Sequence, residues 1–455
     1  MTFADLARMP GVRALPLSQA LAWLRDKSDT SLAQRAASLT FLIRVLSAAA
    51  AYFAQVVLAR WMGGHEFGVY IYVWTWVLLV GDVVHFGLPL AAQRYIPEYT
   101  VAQSPERLRG FIAGARWMVV GFGAAAMLIG AALVRGFEDT LAREQIVPLY
   151  LACLALPFFT LSVILDATAR AYNWVTLALV PHFLLRPLVM LALMAVAYGA
   201  GLRPDATTAM GCILLATIAM SAVQLLLLDR RLRNVVSPGP RTYELKHWLT
   251  TALPLFWVGA FYNLIAYVDV IILEQFRPPQ DVAHYYAAAR TLLLVTFIYF
   301  SVTVAVSPRF ATLHASGDRA GLARLVRATI RWTFWPSLAA TLIILALGWP
   351  MLWLFGPDFT AAYPLMFILA IGPLTRAAVG PAERLLNMAG EQNLCAMIYA
   401  GAFAINLIGC FTLIPLFGAM GAAMAVSGAI LAESAALYVA AQRRLGLHMF
   451  IVGAR

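Results

Sequence analysis

Charge is what this chain has least of. Only 12% of its 455 residues are Asp, Glu, Lys or Arg, about half the share of a soluble globular protein. Lysine is nearly absent, since 31 of the 33 bases are arginine. Cysteine is scarce too: Cys153, Cys212, Cys395 and Cys410 each sit in an apolar stretch, with no CxxC spacing. That excludes a disulfide framework or a thiolate metal site and leaves four small buried hydrophobes. There is no GxxxxGK[ST] loop, no HExxH helix and no nucleophile–His–acid set on one membrane face. The chain is therefore expected not to be an enzyme and to need no cofactor or metal. Asp5, Arg8, Arg13, Arg25, Asp26, Lys27 and Asp29 interrupt the first 35 residues, so no cleavable signal is expected.

What the chain has in abundance is apolar length. Apolar residues make up 62% of it and the mean hydropathy is +0.79, which excludes a water-soluble enzyme and a disordered tail protein. Runs long enough to cross a bilayer lie near 37–59, 68–90, 111–134, 146–167, 172–197, 207–228, 248–274, 283–306, 330–353, 360–381, 393–415 and 419–441. The expected fold class is an all-α polytopic membrane protein with about twelve transmembrane helices. The stretch 17–25 is too short to cross and reads as an interfacial helix.

The bases set the orientation. The N-terminal arm, the connections after even-numbered spans and the C-terminal tail hold 23 Lys and Arg, against five in the connections after odd-numbered spans. Short basic loops stay in the cytoplasm, so both termini are expected on the cytoplasmic side, and the basic excess needs no nucleic-acid partner. The outer connections are too short to hold a catalytic domain.

A basic, Pro/Gly-marked stretch at 229–247 divides the chain. The expected units are an arm (1–36), a first lobe (37–228), the linker (229–247), a second lobe (248–442) and a tail (443–455). The halves echo each other: LARWMGGHEFGVY (58–70) aligns with LEQFRPPQDVAHY (273–285) at an offset of 215, and Arg116-Trp117 meets Arg331-Trp332 at the same offset. An even number of spans per repeat restores the orientation, which predicts two parallel six-helix lobes about an axis along the membrane normal.

Five arginines fall inside the spans away from their edges: Arg44, Arg116, Arg186, Arg290 and Arg376, with Arg331 at the very edge of its span counted in the connection before it. Each costs about 2.5–3.5 kcal/mol at a helix centre, so each must line a wet cavity, meet an acid or snorkel to the rim. Arg116, near the start of its span, suits the rim. Arg376, between Gly372-Pro373 and Gly380-Pro381, is open between rim and cavity. Arg44 carries Ser47, Ala48, Ala51 and Gln55 along its face; Arg186 has His182 one turn earlier and Pro187 next to it; Arg290 has Tyr286 one turn earlier. These three are the candidate phosphate ligands of a cavity, with Gln55, Tyr286 and Arg376 as further lining. An intramolecular ion pair is the competing reading for each.

The intramembrane acids are Asp82, Asp166, Asp269 and Glu433, with Asp166 near a span end. Asp82, Asp269 and Glu433 are the candidates for coupling to H+ or Na+; the alternative is that each only neutralises an arginine. His85 and His182 read as ordinary interhelical hydrogen-bonding groups. Bases outnumber acids, and a guanidinium binds phosphate in a two-pronged fashion at any pH, so an anionic phosphate or diphosphate is the natural passenger. Trp74, Trp76, Trp257, Tyr262 and Tyr267 could stack on sugar faces. Bends for alternating access would come at Pro89, Pro157, Pro181, Pro254, Pro373 and Pro381.

Two segments, 42–76 with GLPLAAQRYIPEY (87–99) and 385–426 with Asn406 and the IPLFG turn, resemble the O-antigen and polysaccharide flippases of the multidrug/oligosaccharidyl-lipid/polysaccharide (MOP) exporter superfamily. The resemblance runs from about residue 35 to 445. It implies a V-shaped, MATE-like pair of lobes around a central cavity. It implies ion-coupled flipping, across a bacterial inner membrane, of an undecaprenyl-diphosphate-linked oligosaccharide for surface polysaccharide or lipopolysaccharide biosynthesis, beside polymerase or glycosyltransferase machinery. Arg44 is the closest match to the family's cationic cavity; Arg186 and Arg290 rest on the electrostatic argument. The rival readings are a multidrug cation antiporter of the same superfamily, a membrane polysaccharide polymerase or ligase, and a non-transporting assembly partner.

Overall fold

The computed structural model describes residues 29–316, 318–446 and 449–451. The interfacial helix expected over 17–25, with most of the arm, lies outside the described residues. The chain runs α1 (Asp29–Val84), α2 (Leu88–Val101), α3 (Pro105–Gly136), α4 (Arg143–Ala171), α5 (Val175–Gly199), α6 (Ala206–Arg233), α7 (Leu245–Phe276), α8 (Pro279–Ala315), α9 (Arg319–Ala346), α10 (Gly348–Phe355), α11 (Pro357–Val379), α12 (Ala382–Met388), α13 (Gln392–Phe417) and α14 (Ala419–Leu445). Helix starts carry their usual signals. Asp205 accepts from the Thr208 amide at 2.8 Å and Asp318 from the Gly321 amide at 2.7 Å, filling amides the first turn leaves free. Pro105, Pro279 and Pro357 open α3, α8 and α11, where the missing amide costs nothing.

Eleven helices among the described residues are long and apolar enough to cross a membrane. One does so twice. Apolar α1 runs 43 residues from Leu42 to Val84, about 65 Å at the α-helical rise and twice a hydrocarbon core. It is broken at Gly63, whose φ of 77° and ψ of 169° are non-helical. The two arms return to one end, because Ile43 and Leu88 share a single core. The expected spans 37–59 and 68–90 are thus joined without the anticipated outer connection: one glycine in a left-handed φ performs the reversal. The expected span 330–353 ends earlier than anticipated. It divides at Leu347 into α9 and the short α10.

The architecture is the expected all-α pair of six-span lobes. In the first lobe α4 packs on α3 and α6; in the second α13 packs on α7 and α14. The lobes meet chiefly through α1 against α8 and α7. Their cores differ from end to end. At the end carrying the short, base-poor connections one apolar core takes residues from both halves, among them Phe67, Tyr70, Ile272, Tyr285, Phe355 and Phe359. At the end carrying the basic connections there are two separate cores. One holds Leu88, Tyr95, Phe111 and Leu232, the other Phe310, Ile330, Leu386 and Tyr399. Apolar burial merges the two lobes into one core at the first end; at the other their cores are separate, joined among the described residues only through the first turns of α7.

Trp248 and Ala252, in the first turns of α7, belong to the first lobe's core. Trp248 donates to the Tyr99 hydroxyl at 3.1 Å, and Tyr95 lies 3.1 Å from His247 and 2.8 Å from Thr251. Arg109 donates to the carbonyls of Ser237 and Pro240. The linker is docked onto the first lobe rather than strung between the two.

Candidate functional site

The site begins with an irregularity in α5. Residues Val180–Leu185 form a π-helical turn between regular helix on both sides. Such turns accommodate one extra residue, and here Pro181 lies in its first turn and Pro187 two residues beyond its end. Arg186 follows directly. Its guanidinium lies 5.4 Å from the Trp74 ring centroid and 5.6 Å from that of Phe159, rings that meet edge to face at 6.3 Å. Two aromatic faces thus hold one cation. Its Nη1 is buried without a hydrogen-bond partner among the described residues. His182, one turn earlier, meets Ser162 Oγ through Nδ1 at 3.1 Å, tying the π turn to α4.

Tyr70, Trp74 and Asp82 share one face of α1 by four- and eight-residue spacing. Across from them α7 brings Tyr267, and α8 brings Tyr286 and Arg290. Tyr70 lies within electrostatic reach of Arg186, Tyr286 and Arg290, and Tyr267 within reach of Asp82, Arg186, Tyr286 and Arg290. Arg186 and Arg290, from opposite lobes, thus share both Tyr70 and Tyr267, and Asp82 shares Tyr267 with them. Neither Arg186 nor Arg290 forms an ion pair among the described residues. Tyr52 on α1 reaches Thr291, the residue after Arg290, at 3.2 Å, which places Arg290 directly at the lobe boundary. Tyr286 packs edge to face on Phe67 at 6.2 Å.

Other sequence candidates stand apart. Arg44 is exposed, with its guanidinium 5.7 Å from the Phe183 centroid. Gln55 is half-buried, and its Oε1 has no partner among the described residues. Arg116 pairs with Asp229 at 2.7 Å rather than snorkelling alone. His85 Nδ1 accepts from the Gly87 amide at 3.2 Å and so shapes the turn after α1.

The second lobe holds a cavity of about 480 Å³, lined among others by Asn263, Asp269, Tyr285, Arg376, Glu433 and Ser434. Asp269 is 4% exposed; it accepts hydrogen bonds from the Tyr285 hydroxyl and, at 2.8 Å, from the Val270 amide. Arg376 and Glu433 face each other in a two-pronged pair, Nη2–Oε2 at 2.7 Å and Nε–Oε1 at 3.2 Å. The structure thus brings Asp82, Arg186, Arg290 and Tyr286 to the lobe boundary and sets Asp269, Arg376 and Glu433 inside the second lobe. Sequence reasoning missed Tyr70. It lies in the aligned segment 58–70, opposite Tyr285 at the repeat offset, so the internal repeat was the signal that could have found it. No group of three or more His, Cys, Asp and Glu suited to a metal occurs among the described residues.

Comparisons with known proteins agree with this architecture. Residues 34–314 match the profile of the polysaccharide biosynthesis protein family, and residues 254–412 match that of the MatE family. An uncharacterized membrane protein of Methanocaldococcus jannaschii is 30% identical over 166 residues. That match takes in 35% of this chain, and the chain spans about a third (32%) of the length of that curated relative. Among solved structures, the lipid II flippase MurJ in an inward closed conformation superposes with a TM-score of 0.70 at 15% identity, over 89% of this chain and 87% of that one. An inward-facing multidrug resistance MATE family transporter of the MOP superfamily gives 0.69 at 12% identity, over 89% and 94%. A MOP superfamily transporter from Pyrococcus furiosus, described as having a binding pocket of reverse polarity, gives 0.66 at 10% identity, over 90% and 95%. These likenesses show the fold. With a profile match spanning well over half its length, the chain belongs to the polysaccharide biosynthesis protein family, and it shares its fold with solved transporters of the MOP superfamily.

Proposed function

We propose that the protein flips an undecaprenyl-diphosphate-linked oligosaccharide from the inner to the outer leaflet of a bacterial inner membrane, with both termini cytoplasmic. The product feeds surface polysaccharide or lipopolysaccharide assembly beside polymerase or glycosyltransferase machinery. The observation that carries this reading is the boundary cluster: Arg186 and Arg290, from opposite lobes and without ion-pair partners among the described residues, converge with a single acid, Asp82. Two guanidiniums to one carboxylate leave positive charge, which suits a diphosphate and opposes the organic cation of a multidrug antiporter. Arg44 stands on the same route nearer the inner end. With the lobe cores separate at the basic end, the cluster faces the leaflet on which lipid-linked sugars are made.

Coupling to H+ or Na+ is assigned to Asp82. Asp269 is satisfied by Tyr285 and the backbone, and Glu433 by Arg376; both hold the second lobe's shape. Asp82 has no such partner among the described residues and sits at the lobe boundary. The test is export in a strain relying on Arg186→Ala or Arg290→Ala protein. Surface glycan should disappear while the lipid-linked intermediate accumulates by mass spectrometry, at normal protein level. Unchanged export in both variants would refute the assignment, and altered drug susceptibility with intact glycan would favour the multidrug reading.

A further inference from the structure

Arg170 lies among the inner connections by sequence position, yet the structure joins it, along one face of α4, to the π turn of α5. Ser162, Asp166 and Arg170 follow at four-residue spacing on one face of α4. Ser162 holds His182 of the π turn at 3.1 Å, and the next residue, Phe183, lies under the Arg44 guanidinium at 5.7 Å. Three helices therefore gather Arg44, Asp166 and Arg170 into one electrostatic neighbourhood. His182 lies within reach of both Arg170 and Arg186, so this neighbourhood adjoins the boundary cluster.

Its polar groups are incompletely matched. Asp166 is 3% exposed. One of its oxygens accepts from Arg170 Nη2, while Oδ1 is buried with no partner among the described residues, as is Arg170 Nε. Arg170 pairs with the carboxylate through one of its oxygens, and Arg44 lies within the carboxylate's electrostatic reach without bonding to it. A diphosphate offers more oxygens and more charge, and it can engage both guanidiniums at once.

We propose that Arg44, Arg170 and Asp166 form an anion-exchange station at the inner mouth, where Asp166 is the resident anion that an incoming diphosphate displaces. The station rests on the flippase reading and supplies its first step: the diphosphate docks here and then passes to Arg186 and Arg290. Asp166 is a positioning residue that keeps Arg170 folded back until the passenger arrives. Removing one member of a buried pair leaves the other charge unmatched, so the informative variants are Asp166→Asn and the uncharged pair Asp166→Asn/Arg170→Gln.

The full chain in phosphatidylcholine nanodiscs is titrated with farnesyl diphosphate, with farnesol and inorganic pyrophosphate as parallel arms. Asp166→Asn should bind farnesyl diphosphate at least threefold more tightly, because the internal competitor is gone. Asp166→Asn/Arg170→Gln should bind at least tenfold more weakly, and Arg170→Lys should stay within a few-fold of the parent. A merely structural acid would not produce a gain. Equal loss in Asp166→Asn and the double variant, or no change in either at normal thermal stability, overturns the proposal. Loss in Arg186→Ala with the mouth variants unchanged overturns the station and leaves the flippase reading standing; the reverse pattern keeps the station and overturns the central assignment. If farnesyl diphosphate binds no better than farnesol, both fall. Competition by pyrophosphate assigns the contact to the free diphosphate group; its absence assigns it to the lipid-linked form.

Discussion

Gly68 on α1 and Pro279 at the start of α8 meet backbone to backbone. A Cβ built on Gly68 would lie 1.8 Å from the Pro279 carbonyl oxygen, so no side chain fits without moving the lobes apart. The contact respects the internal repeat. At the offset of 215, Pro279 corresponds to Gly64 and Ala283 to Gly68, and Gly64 itself faces Gln280. The segments that echo each other in sequence pack on each other in space.

Gly68→Val should therefore open the base-poor end. Phe359 is 2% exposed and packs on Phe67 across the lobes at 6.2 Å. In a background cleared of native cysteines, Phe359→Cys should react with a membrane-impermeant maleimide at least tenfold faster once Gly68→Val is added. An unchanged rate would mean that the seal lies elsewhere.

Arg60 fastens the same end from its rim. It donates to the carbonyls of Leu354 at 2.7 Å and Trp353 at 2.6 Å, and lies 4.6 Å from the Trp353 ring centroid. The site is exposed, so about 1 kcal/mol is expected rather than the value for a buried pair. Arg60→Ala should raise Phe359→Cys labelling about fivefold, much less than Gly68→Val. Labelling as fast as in Gly68→Val would contradict this ranking.

The Arg376–Glu433 pair is structural on the present reading. Glu433 is 2% exposed, so Glu433→Ala should cost about 3–5 kcal/mol by removing the guanidinium's two-pronged acceptor. Arg376→Met/Glu433→Leu should recover most of that. Thermal unfolding of the purified protein measures both, and a double variant as unstable as the single would show that the charges matter individually.

Trp74→Leu should weaken diphosphate binding by removing half of the aromatic cradle of Arg186. A cation–π contact is worth about 0.5–2 kcal/mol, so the loss should lie between about twofold and thirtyfold, with Trp74→Phe intermediate. Titration with farnesyl diphosphate reads it; equal affinity in all three proteins would remove Trp74 from the site.

The spans were legible because runs of apolar residues of bilayer length have few other uses. The repeat was legible at residues 58–70 and 273–285, since the same turn chemistry had to serve both lobes. The pairing of charges was much less so. Arg376 and Glu433 lie 57 residues apart and Arg116 and Asp229 lie 113 apart, separations at which no local pattern operates. Asp166 and Arg170 are a plain i,i+4 pair, hidden only because hydropathy ends the span between them. The hairpin at Gly63 escaped because a single φ angle, rather than a polar loop, turns the chain.

The π turn of α5 carries a consequence for register. Leu177 and Ala178, before it, belong to the first lobe's own core, while Met190 and Met194, beyond it, belong to the core that both lobes share. The surplus residue acts as a phase shifter between two gears, letting one rod present an oily side to different neighbours above and below. Deleting any one residue of 180–185 would restore regular winding and rotate the outer half by about 100°, carrying Arg186 away from Trp74 and both methionines out of mesh.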